Sequence, residues 1–171
     1  MSLFIRTLIM MIIVSVRSYA VVNTTSYDFD ELYEQVAEMI GLQGADVLIT
    51  YLPNNYTMNG DRVNGFVVAL KNRTLYSDTM NTTYVIYLRK GLDYNVSRET
   101  LVHEMVHVFQ DHTKRFEYLS NNRVLWNGYI PIDVNETKYE DRIWEIEANL
   151  LSKEILKTIK NGCNKNKKGI R

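Results

Sequence analysis

Residues 103–107 read His103-Glu104-Met105-Val106-His107, and the rest of the chain is best understood outward from them. Two positions four apart on an α-helix stand about 40° apart around its axis, so both imidazoles leave one face and can reach one metal ion. The intervening glutamate points beside that face, where it can hold a water and accept its proton. A catalytic zinc site takes three protein ligands and keeps one position open. A proton acceptor next to that position makes water a nucleophile near neutral pH. The chain has only three histidines, and a chance HxxxH with Glu at its second position would occur in well under roughly 1% of such sequences. Leu101, Val102, Met105, Val106, Val108 and Phe109 make the segment apolar on nearly every side, the pattern of a buried helix. A buried histidine pair needs a partner.

Ser97 is a candidate N-cap with Glu99 in the first turn, which predicts a helix from Arg98 to Thr113. The third histidine, His112, falls about 140° from His107 around that helix and belongs to the surface. Upstream, Phe29, Leu32, Tyr33, Val36 and Ile40 recur at helical spacing between Tyr27 and Ile40, with Gly41 just past the end. Three β-rich stretches follow, Asp46 to Leu52, Val63 to Lys71 and Thr83 to Arg89, in which apolar and β-branched residues alternate with turn-like segments between them. Strands so close together predict a small, mostly antiparallel sheet. Residues Glu117 to Asn135, with Trp126, Asn127-Gly128, Tyr129 and Pro131, read as a long connection, either a functional loop beside the metal or an irregular excursion packed by Trp126 and Tyr129.

A last helix, from Glu136 or Lys138 to Ile159, is where the third ligand is expected. Glu145 and Glu147 are about 200° apart on it, so only one can face the histidines. Glu145 shares its face with Ala148, Asn149 and Ser152, small enough to let the two helices approach closely, and Asn149 could take the outer N–H of a ligand histidine. Glu147 lies among Ile143, Leu150 and Leu151, where a carboxylate is costly unless something pairs with it, and that counts in its favour. Small neighbours and an oriented surrounding shell favour Glu145 as ligand.

With 171 residues, no net charge and 46% hydrophobic residues, the chain is bounded to one compact domain with a real core, and no charge surplus points to nucleic acid. Residues 1–20 resemble a signal peptide: Arg6 precedes a short apolar run from Leu8 to Val16, and Ser18-Tyr19-Ala20 offers small residues at a cleavage site. That run is too short to span a bilayer, so no stable membrane insertion is expected after cleavage. Glycosylation sequons begin at Asn23, Asn55, Asn72, Asn81, Asn95 and Asn135, against about two expected by chance. Both features predict a secreted glycoprotein. Cys163 is the only cysteine, so no internal disulfide can form. It lies in a polar, basic stretch, residues 161–171, expected to be a disordered tail behind a single domain of residues 21–160.

The stretch His103 to His107, taken with Glu145-Ile146-Glu147-Ala148-Asn149 downstream, resembles the gluzincin metallopeptidases, whose signature is HExxH plus a glutamate on a second helix. Trp144 to Asn149 looks like the ExEAN pattern of compact phage and bacterial members that cleave repressors. His107-Val108-Phe109-Gln110 is similar to the HxxQ extension of several small HExxH families. The resemblance spans roughly Ser97 to Leu156 and implies an α+β, zincin-like domain with an active-site helix and a C-terminal ligand helix. It implies that His103, His107 and Glu145 bind Zn²⁺, that Glu104 is general base and then general acid, and that the substrate is a peptide or protein. Tyr139 or Tyr129 is a candidate donor to the oxyanion, Tyr139 because relatives often keep a tyrosine in that region. A substrate strand would add to the sheet edge, with Thr83 to Arg89 the nearest candidate. The alternative is a catalytically silent zincin-like glycoprotein that acts as a binding module or inhibitor.

Overall fold

A computed structural model describes residues 21–23, 25–52, 56–58, 62–73 and 80–168. The expected signal peptide, the Asn55 sequon and the end of the tail lie outside the described residues. The described residues form an α+β domain with two sheets and three α-helices.

The larger sheet contains β1 (Val21–Asn23), β2 (Asp46–Leu52), β3 (Gly65–Arg73) and β4 (Met80–Arg89), in the order β1-β2-β4-β3. It is mixed: β3 and β4 pair antiparallel as expected, while β1 with β2 and β2 with β4 are parallel. The chain leaves β2 for the far edge, begins β3 there, and returns through β4 into the middle. Thr83 to Arg89 is therefore interior and cannot accept an added strand; β3 is the terminal strand on that side. β4 suits its central place because Tyr84, Val85, Ile86 and Leu88 are all buried.

Tyr84, Ile86 and Leu88 of β4, with Val67 and Ala69 of β3, face the helices. α1 (Asp30–Ile40) ends where Gly41 takes a left-handed φ of 71°, and its buried stripe, Leu32, Tyr33, Val36 and Ala37, joins the same core. α2 (Tyr94–His112) runs through the centre, with Leu101, Val102, Met105, Val106 and Val108 fully buried.

Its start differs from expectation. Asp93 is the N-cap, its carboxylate accepting from the backbone N–H of Asn95 and Val96, and Ser97 is buried inside the first turns. Aspartate four residues upstream outcompetes serine because its charge meets the positive end of the helix dipole.

The stretch read as a long connection is a second, three-stranded antiparallel sheet of β5 (Phe116–Tyr118), β6 (Arg123–Trp126) and β7 (Ile130–Asp133). Its turns are made by Asn121 and Asn122, at φ 64° and 57°, and by Asn127 and Gly128, at φ 51° and 78°. Asparagine and glycine tolerate the positive φ that such tight turns require. Val124 and Trp126 pack there against Trp144 in a separate apolar cluster. A 3-10 turn (Tyr139–Asp141) then leads into α3 (Ile143–Lys168). This helix starts later than expected and continues as far as Lys168, into the basic stretch expected to be a disordered tail.

Candidate metal centre

α2 and α3 cross where Ala148 is fully buried and Ser152 nearly so, and these small side chains let the backbones approach. Glu145, one turn before Ala148, is thereby set over the two histidines. His103 Nε2 and His107 Nε2 are 3.1 Å apart, and Glu145 Oε2 lies 3.3 Å from the first and 3.4 Å from the second. Ligand atoms ~2.0–2.1 Å from a tetrahedral zinc ion stand about 3.3 Å from one another, so this triangle fits the ion. Two imidazole nitrogens with one carboxylate oxygen are also a donor set found in catalytic zinc sites.

Glu147, the rival candidate, points elsewhere. Its carboxylate accepts from Arg115 at 2.6 Å and from Gln110 Nε2 at 3.0 Å. The polar partners that justify a carboxylate among apolar neighbours are thus an arginine and an amide. Asn149 does not take the orienting role expected of it: it is exposed, and Gln110, on α2 itself, holds His107 instead. His112 is exposed beside the Tyr84 ring, away from the cluster.

Each charge responds to this packing. Burial alone would raise the Glu145 carboxyl, but hydrogen bonds from His103 and His107, the His107 charge and the Tyr139 hydroxyl outweigh it and hold it well below the usual carboxylate range. For His107, burial lowers the pKa, while the hydrogen bond to Glu145, the charges of Glu104 and Glu145 and the Gln110 contact raise it to a net value of about 8. Burial raises the Glu104 carboxyl, against the opposing pull of His107 and His103, and nearby Glu145 raises it further. A carboxylate so placed is a stronger base than a solvated one.

Tyr139 donates to Glu145 Oε2 at 2.6 Å from the 3-10 turn before α3. Burial and the Glu145 carboxylate both raise its pKa, so the phenol keeps its proton and remains a donor. Arg142 braces that turn, reaching the Val134 carbonyl at 3.1 Å and lying 5.5 Å from the Tyr139 ring centroid. Tyr129, the other candidate donor, is 74% exposed at a hairpin turn and lines neither cavity of the site.

Two cavities of about 570 and 580 Å³ flank the cluster, one on the His103 side and one on the His107 side. They share Val63, Gly65, Glu104 and Tyr139. Gly65 matters here: a Cβ on it would meet Thr100 Cγ2 at 2.6 Å and the Tyr87 carbonyl oxygen at 2.7 Å. Only glycine lets the start of β3 lie this close to α2, and that approach makes β3 one wall of the cleft.

Among the described residues no helix is long and apolar enough to cross a membrane. No family model matches the chain, and no curated protein or solved structure matches it.

Proposed function

We propose that this chain is a secreted zinc-dependent peptidase with its active site at His103, His107 and Glu145. The observation that carries the reading is the triangle of donor atoms, 3.1 to 3.4 Å on a side, with buried Glu104 beside it in an open cleft. A bound zinc ion would supply Lewis acidity at the scissile carbonyl and acidify a water. Glu104 takes the proton of the attacking water on its carboxylate and passes it to the leaving amine. Tyr139, whose one O–H donates to Glu145 Oε2 in the resting site, would turn that proton to the oxygen that becomes negative. A peptide extended along β3 would place its backbone beside the glutamate and the tyrosine.

The test is metal content of the purified protein beside its activity on a peptide library, with Glu104→Gln as the variant. Zinc at one equivalent, retained in the variant while turnover falls by about 10²–10⁴, is the expected result for loss of a general base. Zinc with no peptide cleavage in the parent would leave the binding-module alternative. No zinc in the parent would end the metal reading.

A further inference from the structure

Gln110 is fully buried, yet both polar atoms of its amide have partners. Its Oε1 lies 2.8 Å from His107 Nδ1, and its Nε2 donates to the Trp144 carbonyl and to Glu147 Oε2, each at 3.0 Å. A reversed amide would turn its oxygen toward a carbonyl and a carboxylate, so these two acceptors fix its direction. His107 Nδ1 must then be the donor, so the neutral ring keeps its one proton there and leaves Nε2 free for a metal.

Glu147 is held in turn. Arg115 donates to its other oxygen at 2.6 Å and through Nε to Asn127 Oδ1 at 3.0 Å, while its guanidinium lies 5.1 Å from the Trp126 ring centroid. Arg115 reaches these partners because Lys114, at φ 60°, reverses the chain at the end of α2. Asn127 and Trp126 belong to the second sheet, which thereby seats the arginine.

We propose that Glu147 and Arg115 are positioning residues: acting through Gln110, they hold His107 in the tautomer that presents Nε2 to a metal. The second sheet is the rigid base of this relay. The inference rests on the proposed metal site, but its central prediction concerns a proton on His107 and can be read with a chelator present.

The experiment compares the full chain with Glu147→Ala, Glu147→Gln and Arg115→Met. Imidazole ¹⁵N shifts recorded with a chelator at about pH 9.5, where the ring is neutral, give the His107 tautomer, and competition with a chromophoric chelator gives zinc affinity. His107→Gln assigns the signals, and circular dichroism confirms folding. At that pH the neutral His107 ring of the parent should carry its proton on Nδ1. Glu147→Ala should move population toward Nε2–H and weaken zinc by about 10-fold or more, within the range seen when an orienting partner of a ligand is lost. Glu147→Gln, which keeps an acceptor for Gln110 but loses the ion pair, should fall between parent and Glu147→Ala. A folded Glu147→Ala protein with the parent tautomer and zinc affinity within about 2-fold of the parent overturns the proposal. If that variant does not fold, Arg115→Met decides by the same two readings. A parent that binds no zinc removes the metal reading, and the tautomer comparison still decides the relay.

Discussion

The pH dependence of zinc binding tests the electrostatics of the cluster most directly. His107 must be neutral to serve as a ligand, and its surroundings raise its pKa from 6.5 to about 8. With that value, about 1% of His107 is neutral at pH 6 and about 90% at pH 9, so apparent affinity should rise roughly 90-fold, or ~2.7 kcal/mol. An ordinary imidazole titrating near 6.5 would give a rise of only roughly 4-fold over the same window. Glu145, held far below the usual carboxylate range, stays ionised throughout and adds nothing to the slope. Folding stability should run the other way when a chelator is present. The folded pKa lies above the unfolded one, so the bound proton stabilises the native state by about 2 kcal/mol below pH 6.5, and that contribution is lost as pH rises through about 8. The His107 side chain is only 15% exposed, so solvent screening removes little of this. Competition titrations from pH 6 to 9, corrected for the chelator's own protonation, and thermal melts with excess chelator measure the two curves. A 4-fold or flat affinity profile, or chelator-treated protein that gains stability toward pH 9, would refute the reasoning.

Gly65→Ala should destabilise by about 1–3 kcal/mol, because the Tyr87 carbonyl at 2.7 Å is backbone and cannot move aside as the Thr100 methyl can. In a chain of this size that lowers Tm by roughly 2–12 °C, and Thr100→Ala should not rescue it; an unchanged Tm would refute the close approach. Asp93→Ala should cost ~1 kcal/mol in a denaturant titration, whereas loss of the Ser97 hydroxyl should show no capping effect. Tyr139→Phe should leave zinc bound but lower peptide turnover by about 10²–10³; full activity would reduce Tyr139 to a support for Glu145.

The helices and the site were more legible in the sequence than the sheets. The HxxxH spacing and the small residues after Glu145 each follow from helical geometry, which depends on neighbours a turn away. Strand order depends on where distant segments meet, and nothing local in Asp46 to Leu52 says that its partner is β4 in parallel and not β3. The second sheet left a readable trace in Asn121-Asn122 and Asn127-Gly128, both able to hold positive φ, but its strands are only three or four residues long and show little periodicity. Among its apolar neighbours Glu147 needs a partner, which the sequence offers only as the metal. The partner it has is Arg115, 32 positions away and brought back by a left-handed lysine no sequence rule favours. Gln110 carried the one available clue, since a residue three after His107 lies on the same helical face.

The site also explains why the chain commits so many polar contacts to one helix crossing. Below Glu145, Ala148 and Ile155 bury α3 against the core, and above it the Trp144 ring packs into the second cluster with Val124 and Trp126. Between those two apolar anchors, Gln110 ties the Trp144 carbonyl to α2, and Arg142 fixes the turn that carries Tyr139. His107 and Glu145 are therefore held by groups that are not themselves ligands, on helices whose cores are already packed. Ordering of those two donors is supplied by folding, so a metal would not have to supply it. It follows that the two acidic residues of one helix turn do different work for a single physical reason: α3 can offer only one face to the histidines. The opposite face must satisfy its carboxylate elsewhere, and by doing so through Gln110 it braces the site it cannot enter.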